Sequence, residues 1–252
     1  MKSQPMAAPE GLQNARGFVC FLANAGIYVR FGRRSVLIDG LQRGPSRFSD
    51  MTDEQIRSVI NGTGMFSNID CLLVTHNHPD HYNPVLTRRM LRNHPETVVL
   101  GPVEQQGRHV GVLDQMEGYA VMPGMDIHFT QVRHEGDKYR DVLNYAYTIR
   151  MNGFEFAVLG DAALNADNLG QISDGRPLNA LFVNFPFLTV RAGRSVLKST
   201  LQSDQLFVFH LPFEADDTEN YRKSAIWCAS KAQELGLPPT TLFLFPNTCI
   251  AL

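Results

Sequence analysis

The stretch Thr75-His76-Asn77-His78-Pro79-Asp80-His81-Tyr82 decides how this chain is read. It follows Ile69-Asp70-Cys71-Leu72-Leu73-Val74, an apolar run that reads as a buried strand. Three imidazoles and one carboxylate fall within six residues, in a chain with only eight histidines. Imidazole and carboxylate are ordinary ligands for zinc, manganese and iron. In an irregular loop, His76 and His78 can face one point while Asp80 and His81 turn toward a neighbouring one. That arrangement suits two adjacent metal ions. A merely polar surface loop would not concentrate the histidines in this way.

The rest of the chain supports a packed protein around that loop. It has 252 residues, 44% of them hydrophobic, with sixteen Phe. This composition excludes disordered and fibrous classes for most of the length. The formal charge is −2, which lacks the strongly positive footprint of a general nucleic-acid binder. The apolar segment Gly17–Val29 contains Asn24 and Gly26, precedes no small-residue cleavage site, and is too short to span a bilayer. Cys20, Cys71, Cys228 and Cys249 are scattered and form no CxxC pair, so free thiols in a reducing, cytoplasmic setting are expected.

Residues 1–16 are polar and aperiodic and are expected to form a flexible lead-in, with a single domain over 17–252. Strands are predicted within 17–30, at 34–39 ending at Asp39-Gly40, and at 69–75, 98–100, 119–121, 126–132, 146–151, 154–159, 181–184, 206–209 and 242–245. Asn152-Gly153 signals a two-residue hairpin. Helices are predicted at 53–61 and 83–94, the latter with Val85, Leu86, Met90 and Leu91 on one side, and over 218–236 before Pro238-Pro239. His94 reads as a helix-end cap, His109 as part of a polar run, and His128 as solvent-facing. The simplest architecture is two sheets packed together with helices outside, an α+β arrangement.

The loop motif His-x-His-x-Asp-His after a strand resembles the signature of the metallo-β-lactamase superfamily, matched at His76, His78, Asp80 and His81. The resemblance extends to His134 after a strand, to Asp161 in Gly160-Asp161, and to His210 after Leu206-Phe207-Val208-Phe209. It implies a four-layer αββα sandwich. It also implies that His76, His78 and His134 hold one metal, that Asp80, His81 and His210 hold the other, and that Asp161 bridges them. Asp39 resembles the family's early strand-end aspartate that supports the ligands. Two divalent ions are implied, zinc by default with manganese or iron as alternatives.

The reading that follows is a cytoplasmic metal-dependent hydrolase in which a hydroxide bridging the two ions attacks a small anionic ester, a phosphodiester or a phosphorylated lactone. Asp80 would orient the nucleophile or accept its proton. No G-x-S-x-G elbow or phosphate-binding P-loop competes with this chemistry. The short interval between Asp161 and His210 leaves no room for the large extra domain of the family's nucleic-acid-cleaving branch, so a nucleic-acid partner is not expected. Exported β-lactamases tend to carry Cys where Asp161 stands. Two basic segments are candidate anion-binding lips, one with Lys138 and Arg140, the other with Arg191, Arg194 and Lys198. A compact nuclease acting on RNA ends and a non-catalytic, metal-stabilised binding protein are the competing readings. No membrane partner is expected, and a homo-oligomer is left open.

Overall fold

The computed structural model of the chain describes residues 6, 9, 11, 12, 14–44 and 48–252. The expected lead-in therefore lies partly outside the described residues. Within it, Met6 and Leu12 pack on a hydrophobic core, and the Met65 amide donates to the Met6 carbonyl at 3.0 Å. The chain folds as two compact units, Met1–Asp114 with Phe245–Leu252, and Gln115–Leu244.

The first unit is built on a seven-stranded sheet. Its order is β14 (Thr248–Ala251), β1 (Gly17–Ala23), β2 (Gly26–Phe31), β3 (Arg34–Ile38), β4 (Cys71–Leu73), β5 (Val98–Gly101) and β6 (Val110–Val112). β14 through β3 pair antiparallel and β3 through β6 pair parallel. β1 and β4 are buried at every residue, which explains their unbroken apolar runs. Helix α1 (Asp53–Asn61) starts with a reciprocal cap. Gln55 N donates to Thr52 Oγ1 at 3.2 Å, and Thr52 N donates to Gln55 Oε1 at 2.6 Å. It stops at Gly62, whose φ of 60° suits a residue without Cβ. Helix α2 (Pro84–Asn93) is capped by Asn83 Oδ1 on the amides of Val85 and Leu86, both at 3.1 Å. Leu86, Met90 and Leu91 are buried as expected, but Val85 is 59% exposed. One residue before Leu86, it sits about 100° around the helix from the buried stripe.

The thiol expectation needs correction. Cys20 in β1 and Cys249 in β14 form a disulfide, and only Cys71 and Cys228 are free among the described cysteines. The two partners are register neighbours across the β1–β14 ladder, a pairing invisible while β14 goes unrecognised as a strand. Burial pushes the Cys71 thiol well above its ordinary range, which marks it as a packed, unreactive side chain.

The second unit carries another seven-stranded sheet. Its order is β13 (Thr240–Leu242), β12 (Ser203–Phe209), β11 (Leu178–Asn184), β10 (Phe154–Val158), β9 (Asn144–Met151), β8 (Met125–Val132) and β7 (Glu117–Met122). β10 through β13 are parallel and β7 through β10 antiparallel. Asn152 and Gly153 both take positive φ in the β9–β10 turn, as a tight hairpin of this twist demands. The frequent Phe has a purpose here. Phe156, Phe182, Phe207 and Phe243 form a row across the sheet, with successive ring centroids 5.7, 4.8 and 5.7 Å apart.

The basic segment after Pro186 is helical, as α3 (Pro186–Thr189) and α4 (Arg191–Ser199). These lie so close that a Cβ at Gly193 would stand 2.5 Å from the Phe187 backbone. The long helix is α5 (Tyr221–Ser230), its predicted last turns being hydrogen-bonded turns instead, and the final strand of the unit sits at 240–242 rather than 242–245. His128 does not face solvent freely. It stacks on Tyr119 with centroids 4.5 Å apart and pairs with Glu117 at 2.8 Å. Among the described residues no helix is long and apolar enough to cross a membrane.

Candidate metal centre

In the first unit the histidine loop leaves β4 beside the end of β3. Asp39 is the pivot. It is 1% exposed and turns the chain at a φ of 48°. Its Oδ1 accepts from Thr75 N at 2.8 Å. Its Oδ2 accepts from the Thr75 hydroxyl at 2.6 Å and faces His81 Nδ1 at 2.8 Å. The Thr75 oxygen, having donated its proton to Asp39, faces His76 Nδ1 at 3.0 Å as an acceptor. Both imidazoles present Nδ1 to these oxygens, which leaves Nε2 as the candidate ligand nitrogen. His76 lies 4.6 Å from His78 and 3.9 Å from His81 between ring centroids.

Asp80 is positioned from a third direction. Asn24 Nδ2 donates to the Asp80 carbonyl at 2.9 Å and to its Oδ2 at 3.2 Å, while that Oδ2 stands 3.9 Å from His81 Nε2. The loop is pinned at its exit by Asn83 N on the Leu41 carbonyl at 2.8 Å and by the amides of His81 and Tyr82 on the His78 carbonyl.

In the second unit the donors sit at strand ends. His134 follows β8, Asp161 follows β10, and His210 follows β12. The two segments carrying His134 and Asp161 are laced together by Glu135 N on the Asp161 carbonyl and Ala163 N on the Arg133 carbonyl, both 2.8 Å. His134 Nδ1 meets the Glu135 carbonyl at 2.8 Å, which again leaves Nε2 as the candidate ligand nitrogen. Asp161 Oδ2 lies 3.8 Å from His134 Nε2 and 3.5 Å from His210 Nε2. Asn144 steadies this segment by accepting from Asp161 N at 3.1 Å and donating to the Leu159 carbonyl at 3.2 Å. His210 takes a φ of 62°, a turn that ends β12 at this candidate ligand.

The chain thus carries two clusters of candidate metal ligands, one in each unit. Together their His and Asp donors make the set a dinuclear site needs. All are nitrogen or oxygen, a chemistry that fits zinc, manganese or iron. The candidate cations fall differently. Lys138 lies over the Tyr139 ring at 4.5 Å, and that ring stands 5.0 Å from His134. Arg140 lines a cavity that excludes both His134 and Asp161. Arg194 donates to the carbonyls of Leu188 and Thr189 at 2.9 and 2.8 Å and so closes the end of α3. Lys198 runs beside Gly236, and Arg191 begins α4. Asn24, Thr75 and Asn144 went unassigned from sequence. The only signal was Asn24 in the turn Ala23-Asn24-Ala25-Gly26, where a left-handed φ of 49° suits Asn.

No curated protein matches the chain. Among solved structures it is similar to a diiron β-hydroxylase from Streptomyces venezuelae, with 14% identity and a TM-score of 0.64 over 97% of this chain and 55% of that one. It thus spans little more than half of the hydroxylase. A metallo hydrolase from the archaeon Ignicoccus hospitalis aligns at 14% identity and a TM-score of 0.63, covering 93% and 97% of the two chains. An isothiocyanate hydrolase from Delia radicum gut bacteria aligns at 12% identity and a TM-score of 0.60, covering 93% and 99%. At such identities the likeness shows the fold, the αββα sandwich of the metallo-β-lactamase type, and no more. The profile of the β-lactamase superfamily domain matches residues 20–181, well over half of the chain, and the chain belongs to that family.

Proposed function

We propose that the two clusters act as one dinuclear metal centre of a hydrolase that cleaves a small anionic ester, a phosphodiester or a phosphorylated lactone. The observation that carries this reading is the anchoring of the imidazoles through one ring nitrogen, with Nδ1 of His81 2.8 Å from Asp39 and Nδ1 of His134 2.8 Å from a backbone carbonyl. Further support comes from the donor set within each unit, four candidate ligands within six residues of one loop in the first and three at strand ends in the second, with Asp161 Oδ2 3.8 Å from His134 Nε2 and 3.5 Å from His210 Nε2. His76, His78 and His134 would hold one ion, Asp80, His81 and His210 the other, and Asp161 both. Two bound divalent ions, zinc by default, supply a water acidified toward neutrality and an electrophile for the ester.

The chain's own groups do the rest. Asp80, steadied by Asn24, orients the attacking water and takes its proton. Asp39 keeps His81 and Thr75 in place as that charge shifts. Lys138 is the cation best placed for the anionic end of the substrate, its ammonium anchored over Tyr139, which in turn packs on His134. Arg191 and Lys198 can add only longer-range attraction, and Arg194 is engaged at the end of α3.

The test is metal analysis of gently purified protein, followed by turnover of bis(p-nitrophenyl) phosphate and of lactones after loading with zinc, manganese or iron. About two metals per chain and activity on one of these substrates are expected. Cleavage of structured RNA alone would move the assignment to a nuclease. Bound metal with no turnover of any ester would leave a metal-stabilised binding protein.

A further inference from the structure

The second unit contains a cavity of about 630 Å³ that no part of the proposed chemistry uses. Its size is within the range of small-molecule sites, roughly 300–1,000 Å³. Arg133 and Arg140 face it, together with the carboxamides of Gln131, Gln171, Asn165 and Asn168. The Arg133 guanidinium donates to Asn165 Oδ1, a neutral partner, and among the described residues no carboxylate pairs with it. Among the described residues Arg140 has only Asp141, at 4.0 Å and almost fully exposed. Of the acids at the cavity, Glu117 is engaged by His128 at 2.8 Å, which leaves Asp167. Among the described residues neither acid pairs with either guanidinium, so both guanidiniums keep donors for one anionic group.

The carboxamides narrow the ligand further. Each both donates and accepts, as a hydroxyl does. Among the described residues the side chains of Gln131 and Gln171 make no hydrogen bond within the protein. A neighbouring cavity of about 610 Å³ on the same sheet provides a contrast. There Arg150 and Arg176 both pair with Glu155, at 3.0 and 3.5 Å, and Asp126 and Asp174 line the same cavity, so its two guanidiniums are outnumbered by carboxylates.

We propose that the Arg133–Arg140 cavity is a second ligand site that binds a small polyhydroxylated anion, a sugar phosphate or a sugar acid. The guanidiniums take the anionic group in a forked contact and the carboxamides take the hydroxyls. The site is distinct from the metal ligands and does not depend on their assignment. It nevertheless borders them, because Arg133 and Asn165 belong to the two laced segments that carry His134 and Asp161.

The experiment is calorimetric titration of the full chain, both metal-loaded and EDTA-treated, with glucose 6-phosphate, gluconate, glucose and inorganic phosphate. Saturable binding of glucose 6-phosphate or gluconate is expected, at least about tenfold tighter than glucose or phosphate and unchanged by EDTA. Arg133→Gln with Arg140→Gln should weaken it about tenfold or more, and Gln131→Ala with Gln171→Ala should weaken the sugar-bearing anion but not phosphate. Arg176→Ala should leave it unchanged. Both arginines are exposed, and a thermal melt of each variant verifies its fold. Absence of saturable binding by either sugar anion overturns the proposal. So does binding that survives the double arginine change or disappears with EDTA. A failure of the metal-centre reading would show instead in metal content and turnover, with this binding intact.

Discussion

The two ligand clusters are made in opposite ways. The first unit gathers His76, His78, Asp80 and His81 in one loop and orients them with side chains, through Asp39, Thr75 and Asn24. The second spreads His134, Asp161 and His210 over three strand ends and orients them mainly with backbone, through the Glu135 carbonyl and the lacing of adjacent segments. A loop cluster is specified locally, so each support is a side chain that can be deleted. Strand-end ligands inherit their positions from the register of a sheet, so their support is the packing of that sheet.

The largest expected effects come from the carboxylate ligand in each cluster. Asp80→Asn and Asp161→Asn should each lower turnover by about 10²–10⁴-fold with circular dichroism unchanged. Full activity in either variant would remove its cluster from the centre. Next is the sheet behind the second cluster. Phe182→Ala, at the middle of the Phe row, should cost about 3–5 kcal/mol in urea unfolding. Metal content per folded molecule should be retained, and loss of metal without loss of stability would contradict a ligand set held by sheet register.

Asp39→Asn should weaken metal binding about 10–100-fold in a competitive chelator titration. Glu135→Ala should leave affinity within about twofold, because His134 is held by the backbone carbonyl that every residue provides. Equal effects from the two changes would erase the contrast between side-chain and backbone support. The smallest effect is expected from Asn24→Gly, which keeps the left-handed turn but removes the amide on Asp80. Turnover should fall about three- to tenfold, the loss of one hydrogen bond to a charged group.

The same contrast explains what was legible in the sequence. The loop announces itself because ligands two and three residues apart are visible as a string. His134 and His210 stand out only by their order after strands, and each taken alone looks like any histidine beside a sheet. The fold class was legible from short apolar strands with helices between them. Short terminal pieces were not. β14 has four residues, none of them fully buried, and carries little periodicity, so its partner β1 gave no hint that Cys20 would face Cys249. The segment that forms α4 reads equally as a basic loop or helix because its buried positions are Gly193 and Leu197, one of which has no side chain to count. Asn24 and Thr75 were hidden for another reason. Supporting polar residues are common types, and only the third dimension shows which carboxylate they hold.

The Cys20–Cys249 bond joins positions 229 residues apart and thereby closes everything between them into a covalent ring. A ring that size restricts the unfolded chain by about 5 kcal/mol in the chain-entropy view. It also changes what damage does. A single protease cut anywhere inside the ring opens it to a linear molecule without releasing a fragment, so both ligand clusters remain on one piece for as long as the surroundings stay oxidising. Under reducing conditions the same cut would separate two peptides, so the tolerance of this protein to nicking is set by the redox state of its compartment.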